Sequence, residues 1–210
     1  KVIQENHPDH FILSEETGEI ATTSEYKWII DPIDGTVNFA NGIPICCVSV
    51  GLEKDGTIIM GAVYNPIINE FYFAEKGKGA FLNDKKIRVS QKTKVMESCL
   101  VTGFPYTYLD TPNGPLQVFD KLIRQGIPVR RLGSAAIDLC WVAAGRFDGF
   151  YEHKLQAWDS AAGFLMVEEA GGKITDYKGE YYSVYQPHLL ATNGQIHEEL
   201  LAIINGAPVQ

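Results

Sequence analysis

Two aspartates three residues apart, Asp31 and Asp34, follow the apolar run WII in the segment KWIIDPIDGTVNF. Asp31 is expected to end a strand, because Pro32 lacks the N–H group that would continue a sheet. The two carboxylates and the Ile33 carbonyl oxygen can then converge on one point. Oxygen ligands in a tight turn suit a hard cation such as Mg²⁺. An Asp-rich turn without a metal is the competing interpretation, since Asp is common in turns.

Gly35 and Thr36 follow the aspartates directly and add the means to bind a phosphate. Gly35 permits another group to approach the backbone closely. A helix beginning here would leave the amides of both residues free, and free N–H groups at a helix N-terminus bind anions. A cation site beside an anion site indicates a metal-dependent phosphoester hydrolase.

Further acidic side chains lie at the ends of two other predicted elements. ILSEETGE ends an apolar run on Glu15 and Glu16, and Asp159 opens an amphipathic helix after Trp158. Each has an ordinary explanation, a solvated loop for the glutamates and a helix N-cap for Asp159. Carboxylates from three elements in one cleft, however, would repel one another unless cations were bound. The pattern therefore favours a cation site assembled from separate parts of the chain.

The elements that must position these groups are of two kinds. Residues 45–90 alternate strands with turns, as in ICCVSVGLE, KDG and TIIMGAVYN, and predict an antiparallel meander. After about residue 99, helices alternate with strands, residues 107–116 are expected to form a loop, and SAAIDLCWVAAG predicts a buried helix that Ser134 and Gly145 cap. This order predicts a layered α/β fold. We expect one domain over residues 1–210, in which residues 1–98 carry the acidic motifs and the meander and residues 99–210 complete the site.

Composition narrows the possible partners. The 210 residues are 45% hydrophobic and carry a formal net charge of −8, which argues against a nucleic acid or an anionic membrane as partner because both require a basic surface. No apolar run approaches the length of a membrane-spanning helix, and the four cysteines lack the spacing of a disulfide framework or zinc site. We expect a cytoplasmic protein with reduced thiols.

Two long motifs, WIIDPIDGTVNF and WDSAAGFLMVEEAGG, resemble those of the inositol monophosphatase family, within the lithium-sensitive, Mg²⁺-dependent phosphatase superfamily. RRLGSAAIDLCWVAAGRFDGFYE fits the same family, and the residues GFP at 103–105 are similar to its bacterial branch. The resemblance covers essentially the whole chain. It implies a layered αβαβα sandwich of the sugar-phosphatase type, a homodimer, and two or three Mg²⁺ ions in the cleft. It also implies N-terminal helices that these 210 residues lack.

The resemblance further implies a role for each site residue. The implied metal ligands are Glu15, Asp31, the Ile33 carbonyl oxygen, Asp34 and Asp159. The implied catalytic residues are Glu15, Asp31 and Thr36, with Thr36 orienting the attacking water. The implied substrate contacts are Glu15, Ile33, Asp34, Gly35, Thr36, Gly133, Ser134, Ala135, Glu152 and Asp159. Of these, Glu152 would accept hydrogen bonds from ring hydroxyl groups.

Residues and resemblance together predict Mg²⁺-dependent hydrolysis of a myo-inositol monophosphate to inositol and phosphate, by attack of a metal-activated water. The first alternative is the same chemistry on another small ester: NADP(H), fructose 1,6-bisphosphate or 3′-phosphoadenosine 5′-phosphate. The second is a regulatory module that binds a partner without catalysis. Like charges that repel one another count against that module, since binding alone gives no reason to retain them.

Three charged positions are open to two interpretations. Asp138, in the apolar helix, could be catalytic, but a hydrogen-bonded structural carboxylate is favoured. Arg130 and Arg131 could attract an anionic substrate, although a charge pair at a strand edge is favoured.

Overall fold

β-branched and aromatic residues form strands through most of the first half of the chain, where they alternate with polar residues. The structure, a computed structural model, describes residues 1–105 and 114–209. The strands of the first sheet are β1 Phe11–Ser14, β2 Gly18–Ile20, β3 Tyr26–Asp34, β4 Cys47–Lys54, β5 Thr57–Asn65, β6 Glu70–Glu75, β7 Gly79–Leu82 and β8 Lys85–Lys86. Their order across the sheet is β2-β1-β3-β4-β5-β6-β7-β8.

The predicted antiparallel meander is confirmed as β4 to β8, in which each strand pairs with the next. Asp55 and Gly56 connect β4 to β5 and have φ angles of 47° and 77°. Positive φ at both residues is what a tight two-residue hairpin requires.

The second sheet has five strands in the order β10-β9-β11-β13-β12. Their bounds are β9 Leu100–Thr102, β10 Val129–Arg130, β11 Gly149–His153, β12 Lys173–Thr175 and β13 His188–Thr192. β9 pairs in parallel with β10 and β11, whereas β13 runs antiparallel to its neighbours.

The described residues form six α-helices, of which two lie between the sheets and two cover the second sheet. They are α1 Val2–Asn6, α2 Thr36–Ala40, α3 Pro115–Arg124, α4 Ala135–Ala143, α5 Ala157–Glu169 and α6 His197–Ile204. One buried cluster joins α4 and α5 to residues of both sheets, and a second joins α3 and α6 to the far face of the second sheet. The described residues thus form alternating layers, β, α, β and α, and the predicted layered α/β fold is confirmed.

Three predicted element boundaries were wrong. β3 does not end at Asp31 but continues to Asp34, with a shift of register between them. α5 begins at Ala157, so Asp159 is its third residue rather than its N-cap. α4 ends at Ala143 with Ala144 as C-cap, and Gly145 follows at φ 70°.

α3 starts at Pro115, inside the predicted loop 107–116, because proline suits the first turn of a helix. The part of that loop at positions 107–113 lies outside the described residues. None of the helices in the described ranges combines the length and apolarity needed to cross a bilayer.

Candidate active site

A β-bulge on β3 brings the two aspartates to the same side of the sheet. In a regular strand, residues three apart point to opposite faces. Here Asp31 pairs with Ser49 and Asp34 with Cys47, so three steps on β3 oppose two on β4. The extra residue restores a common face, and both aspartates are buried, at 2% and 7% exposed. The Ile33 backbone N–H donates to Asp31 Oδ1 at 2.9 Å and fixes that side chain.

The N-terminus of α4 binds Asp34 and joins the two parts of the chain. The hydroxyl of Ser134, the predicted N-cap, donates to Asp34 Oδ2 at 2.6 Å. The Ala136 backbone N–H donates to the same oxygen at 2.8 Å. These hydrogen bonds hold the end of β3 against a helix about one hundred residues further along the chain.

Asp159 and Glu15 approach the same space from other elements. Asp159 lies in the first turn of α5, where its Oδ2 accepts a hydrogen bond from the Gln156 backbone N–H at 2.7 Å. Glu15 follows β1, which pairs in parallel with β3, and so emerges at the edge of the sheet where β3 also ends. Parallel pairing thus places Glu15 beside the aspartates.

Asn38 and two glycines connect α2 to the loop before α4. Asn38 Nδ2 donates to the carbonyl oxygens of Ile45 at 2.8 Å and Leu132 at 2.7 Å. Gly35 and Gly133 have φ angles of 85° and 87°. A Cβ on Gly35 would lie 2.8 Å from the Ile45 carbonyl oxygen, so this close approach requires glycine.

These elements enclose a cleft of about 170 Å³. All eleven residues predicted to contact substrate or metal line it: Glu15, Asp31, Ile33, Asp34, Gly35, Thr36, Gly133, Ser134, Ala135, Glu152 and Asp159. The structure therefore brings the predicted site residues to one place.

Burial raises the pKa of the three aspartates of the cleft, and repulsion between carboxylates adds to the effect for Asp31 and Asp159. Burial raises the pKa of Asp31 to about 8, and the charges of Asp34 and Glu15 add to the effect. Burial likewise raises the pKa of Asp159 to about 7. For Asp34, burial raises the pKa against the opposing hydrogen bonds from Ser134 and Ala136. A bound cation would reverse these shifts by neutralising the concentrated charge.

The donor set fits Mg²⁺ without forming a complete metal cage. Within residues 1–105 and 114–209, no three His, Cys, Asp or Glu side chains converge as a ready-made coordination sphere. Mg²⁺ typically takes one or two carboxylates and completes its shell with water and phosphate oxygens. Asp31 Oδ2 and Asp159 Oδ1 receive no hydrogen bond from the described part of the chain and remain available as ligands.

The remaining wall of the cleft carries groups that sequence reasoning underrated. Arg131 and Asp138 line it together with Glu152, Phe104 and Leu155. The favoured strand-edge interpretation fits Arg130, which ends the edge strand β10. It does not describe Arg131, which lies over the Phe104 ring at 5.8 Å. The only sequence signal for this residue was its place shortly before the glycine at position 133.

Glu152 occupies its position on that wall because Gly103 has no side chain. A Cβ on Gly103 would lie 2.2 Å from both carboxylate oxygens of Glu152. Burial raises the pKa of Glu152 to about 8, and the charges of Asp159 and Asp34 contribute. Gly103 therefore belongs to the site although it carries no functional group.

Comparison with known proteins finds similar sequences and structures. A profile of the Inositol monophosphatase family matches residues 1–208. An inositol-1-monophosphatase of Mesorhizobium japonicum is 41% identical over 198 residues, which cover 94% of this chain and 74% of that protein. A protein of Pasteurella multocida named Nus factor SuhB is 42% identical over 202 residues, covering 96% of this chain and 76% of the other. The structure of inositol monophosphatase from Anabaena (Nostoc) sp. superposes with a TM-score of 0.93 at 40% identity, covering 99% of this chain and 83% of that chain.

Proposed function

Because this chain belongs to the inositol monophosphatase family and is a phosphatase, we propose that it hydrolyses a myo-inositol monophosphate to inositol and phosphate with Mg²⁺ as cofactor. The observation that supports this most directly is that Glu15, Asp31, Asp34 and Asp159 all line one cleft. Their carboxylates come from three different elements or loops, and the three aspartates are held by hydrogen bonds from backbone N–H groups and from Ser134 rather than by counter-charges. A bound divalent cation explains why they are gathered.

In this proposal Glu15, Asp31, the Ile33 carbonyl oxygen, Asp34 and Asp159 hold two or three Mg²⁺ ions. Such ions make a bound water more acidic and neutralise charge on the phosphate and on the leaving oxygen. The protein's own task is positioning, which accounts for most of the catalysis of phosphoryl transfer.

The residues of the first turn of α2 bind the phosphate. Gly35 and Thr36 line the cleft directly beside Asp34, and Gly35 lacks a side chain that would block the approach of phosphate oxygens. The Thr36 hydroxyl, together with Glu15, orients the attacking water in line with the bond to the leaving oxygen. Asp31 is the third catalytic residue.

The wall that carries Glu152 binds the alcohol. Glu152 accepts hydrogen bonds from ring hydroxyl groups, while Gly133 and Ala135 present backbone groups. Ser134 is buried, with its hydroxyl committed to Asp34. Its side chain therefore contributes by holding Asp34 in place.

The charges of that wall favour a monophosphate over the alternative esters. Among the described residues that line the cleft, Arg131 alone is a cation, whereas Glu152 and Asp138 line it as acids. A second phosphate, as in fructose 1,6-bisphosphate, would meet these acids at a site with one positive charge. A cleft of about 170 Å³ also leaves most of a dinucleotide such as NADP(H) outside.

A substrate panel tests this assignment. We expect phosphate release to be fastest, by kcat/KM, with inositol 1-phosphate in the presence of Mg²⁺. It should be slower with NADP(H), fructose 1,6-bisphosphate and 3′-phosphoadenosine 5′-phosphate. EDTA should abolish it and lithium should inhibit it. Preference for a bisphosphate would overturn the substrate, and undiminished release in EDTA would overturn the metal.

A partner-binding role is the second candidate, since the Pasteurella multocida relative bears the name Nus factor. Val37, Phe39 and Ile43 expose large apolar side chains on and after α2, beside the cleft, where a protein partner could bind. The net charge of −8 makes direct binding to nucleic acid unfavourable. A catalytically inactive variant that still complements loss of the protein in cells would support this role over hydrolysis.

We also propose that the protein acts as a cytoplasmic homodimer. The four cysteines are unpaired, as expected in a reducing compartment. Sedimentation equilibrium should give twice the mass of the chain, and a monomer at micromolar concentration would contradict the dimer.

A further inference from the structure

Asp138 is a buried carboxyl group whose position its own protein contacts do not explain. It lies in α4, is 1% exposed, and lines the cleft on the wall that carries Glu152. Its Oδ1 is fully buried and has no hydrogen-bond partner. No residue of the described ranges donates to its other carboxyl oxygen either. The hydrogen bond that the sequence analysis expected for this carboxyl group is therefore absent at Oδ1.

Other buried aspartates of the chain do have donors. Asp148 accepts from the Ser90 hydroxyl at 2.5 Å and the Cys99 backbone N–H at 2.6 Å. Asp176 accepts from two backbone N–H groups, those of Lys178 and Glu180, at 2.8 and 2.9 Å. A buried polar group left unpaired destabilises the folded protein. Among the buried aspartates of the described residues, Asp138 thus differs in having no donor, and it lies at the wall of the cleft.

Among the described residues, the charged groups that act on Asp138 are both acids, Glu152 and Asp34. Burial, together with these two charges, keeps the pKa of Asp138 well above its usual range. Two ionised carboxylates have no proton to donate, so they cannot hydrogen-bond to each other and repel one another instead. A hydroxyl group can satisfy both, because it donates to one acceptor and accepts from a protonated neighbour.

We propose that Asp138 is a specificity-determining residue of the cleft, whose carboxyl group binds a hydroxyl group of the alcohol portion of the substrate. This rests on the proposed function, in which Glu152 binds the same portion. Asp138 and Glu152 together then select an ester whose alcohol carries hydroxyl groups besides the phosphorylated one. An alcohol that lacks these hydroxyls leaves Asp138 unpaired, and sites built around buried polar groups reject such analogues.

Two substrates separate this role from a structural one. Inositol 1-phosphate carries ring hydroxyls, and p-nitrophenyl phosphate has none. We expect Asp138→Ala to raise the KM for inositol 1-phosphate about 10-fold or more, the usual effect of losing a hydrogen bond to an ionisable group. The KM and kcat for p-nitrophenyl phosphate should change less than about 2-fold. Asp138→Asn, which preserves volume and an acceptor, should be intermediate.

Melting temperature provides the second measurement. Because Asp138 has no donor in the free protein, Asp138→Asn should melt at the same temperature as the wild type or higher. Asp176→Asn is the matched control: it removes a buried carboxylate that has donors and lies away from the cleft, so it should lower the melting temperature and leave both KM values unchanged.

The outcomes distinguish the two proposals. An equal loss of activity on both esters, with a lower melting temperature, assigns Asp138 a structural role and overturns the inference. An unchanged KM for inositol 1-phosphate overturns it as well. If the wild-type protein hydrolyses p-nitrophenyl phosphate but no polyol phosphate, the proposed function fails first, and this inference fails with it.

Discussion

At the scale of single residues, the cleft is defined by carboxyl groups in unequal surroundings. Asp34 receives hydrogen bonds from Ser134 and Ala136, which oppose the rise in pKa that its burial causes. Asp31 receives one such bond, from Ile33, and burial raises its pKa to about 8. Asp31 therefore depends on a cation for its charge, and we expect its replacement to be damaging.

Asp31→Asn should lower kcat/KM for inositol 1-phosphate by more than about 100-fold, because the amide cannot supply the negative charge that a cation site needs. Phosphate release at saturating Mg²⁺ measures this. Asp84→Asn makes the same change in an exposed turn and should leave activity unaffected. If the activity of Asp31→Asn is within a few-fold of the control, Asp31 is not needed for catalysis.

At the scale of elements, glycines set how closely α5 approaches the first sheet. A Cβ on Gly51 of β4 would lie 2.8 Å from the Ala161 Cβ, and one on Gly61 of β5 would lie 2.7 Å from the Ala162 carbonyl oxygen. The first contact is with a side chain and the second with helix backbone. α5 carries Asp159, so this packing also fixes the height of that carboxylate above the sheet.

Gly51→Ala and Gly61→Ala should each reduce the free energy of unfolding by about 1–3 kcal/mol through overpacking. Ala161→Gly should restore part of the stability lost in Gly51→Ala, since it removes the Ala161 Cβ that the added Cβ would contact. Ala162→Gly should recover nothing in Gly61→Ala, because the obstacle is a carbonyl oxygen. Urea denaturation of both double-mutant cycles measures the couplings. Equal couplings in the two cycles would contradict this account of the packing.

Sequence patterns were sufficient for elements whose signals are local. The hairpin at Asp55 and Gly56 and the N-cap at Ser134 follow from turn and capping preferences, and both are present. The bulge on β3 was not foreseen, because proline was taken to end the strand, whereas the partner strand β4 continues the pairing at Asp34. Its effect on side-chain direction depends on that non-local pairing.

The alcohol-binding wall was likewise beyond local reasoning. Arg131 and Asp138 reach the cleft through the placement of the second sheet and α4. Gly103, which follows β9, makes room for Glu152 of β11. The spacing of residues in a single sequence does not reveal contacts between distant segments. Each metal-binding motif, in contrast, is contiguous and can be recognised directly.

At the scale of the whole molecule, a buried neutral histidine ties the second sheet to its covering helix. His197 begins α6, is 0% exposed, and places its two ring nitrogens 2.9 Å from the hydroxyls of Thr175 and Thr192. Burial lowers its pKa from 6.5 to about 4, and the charge of Lys173 contributes. Between pH 6.5 and about pH 4, the unfolded chain therefore binds a proton at His197 that the folded protein does not bind.

Consequently, the contribution of His197 to stability is complete above pH 6.5 and is lost as the pH falls towards 4. His197→Gln should be less stable than wild type at pH 7.5, and this difference should shrink by about 2 kcal/mol at pH 5, since one pKa unit corresponds to about 1.4 kcal/mol. Urea denaturation at both pH values measures it. His7→Gln, at an exposed histidine, should show no such change. A difference that stays constant or widens at pH 5 would mean that His197 is protonated in the folded state.

The claim on which the proposed function depends is that four carboxylates meet in order to hold divalent cations. Diffraction from crystals grown with Mn²⁺ in place of Mg²⁺ tests it directly, because anomalous scattering locates the metal independently of the coordinates. We predict at least two peaks, each within bonding distance of oxygens from Glu15, Asp31, Asp34 or Asp159. Manganese bound only elsewhere, in crystals of an enzyme that Mn²⁺ activates, would contradict the account.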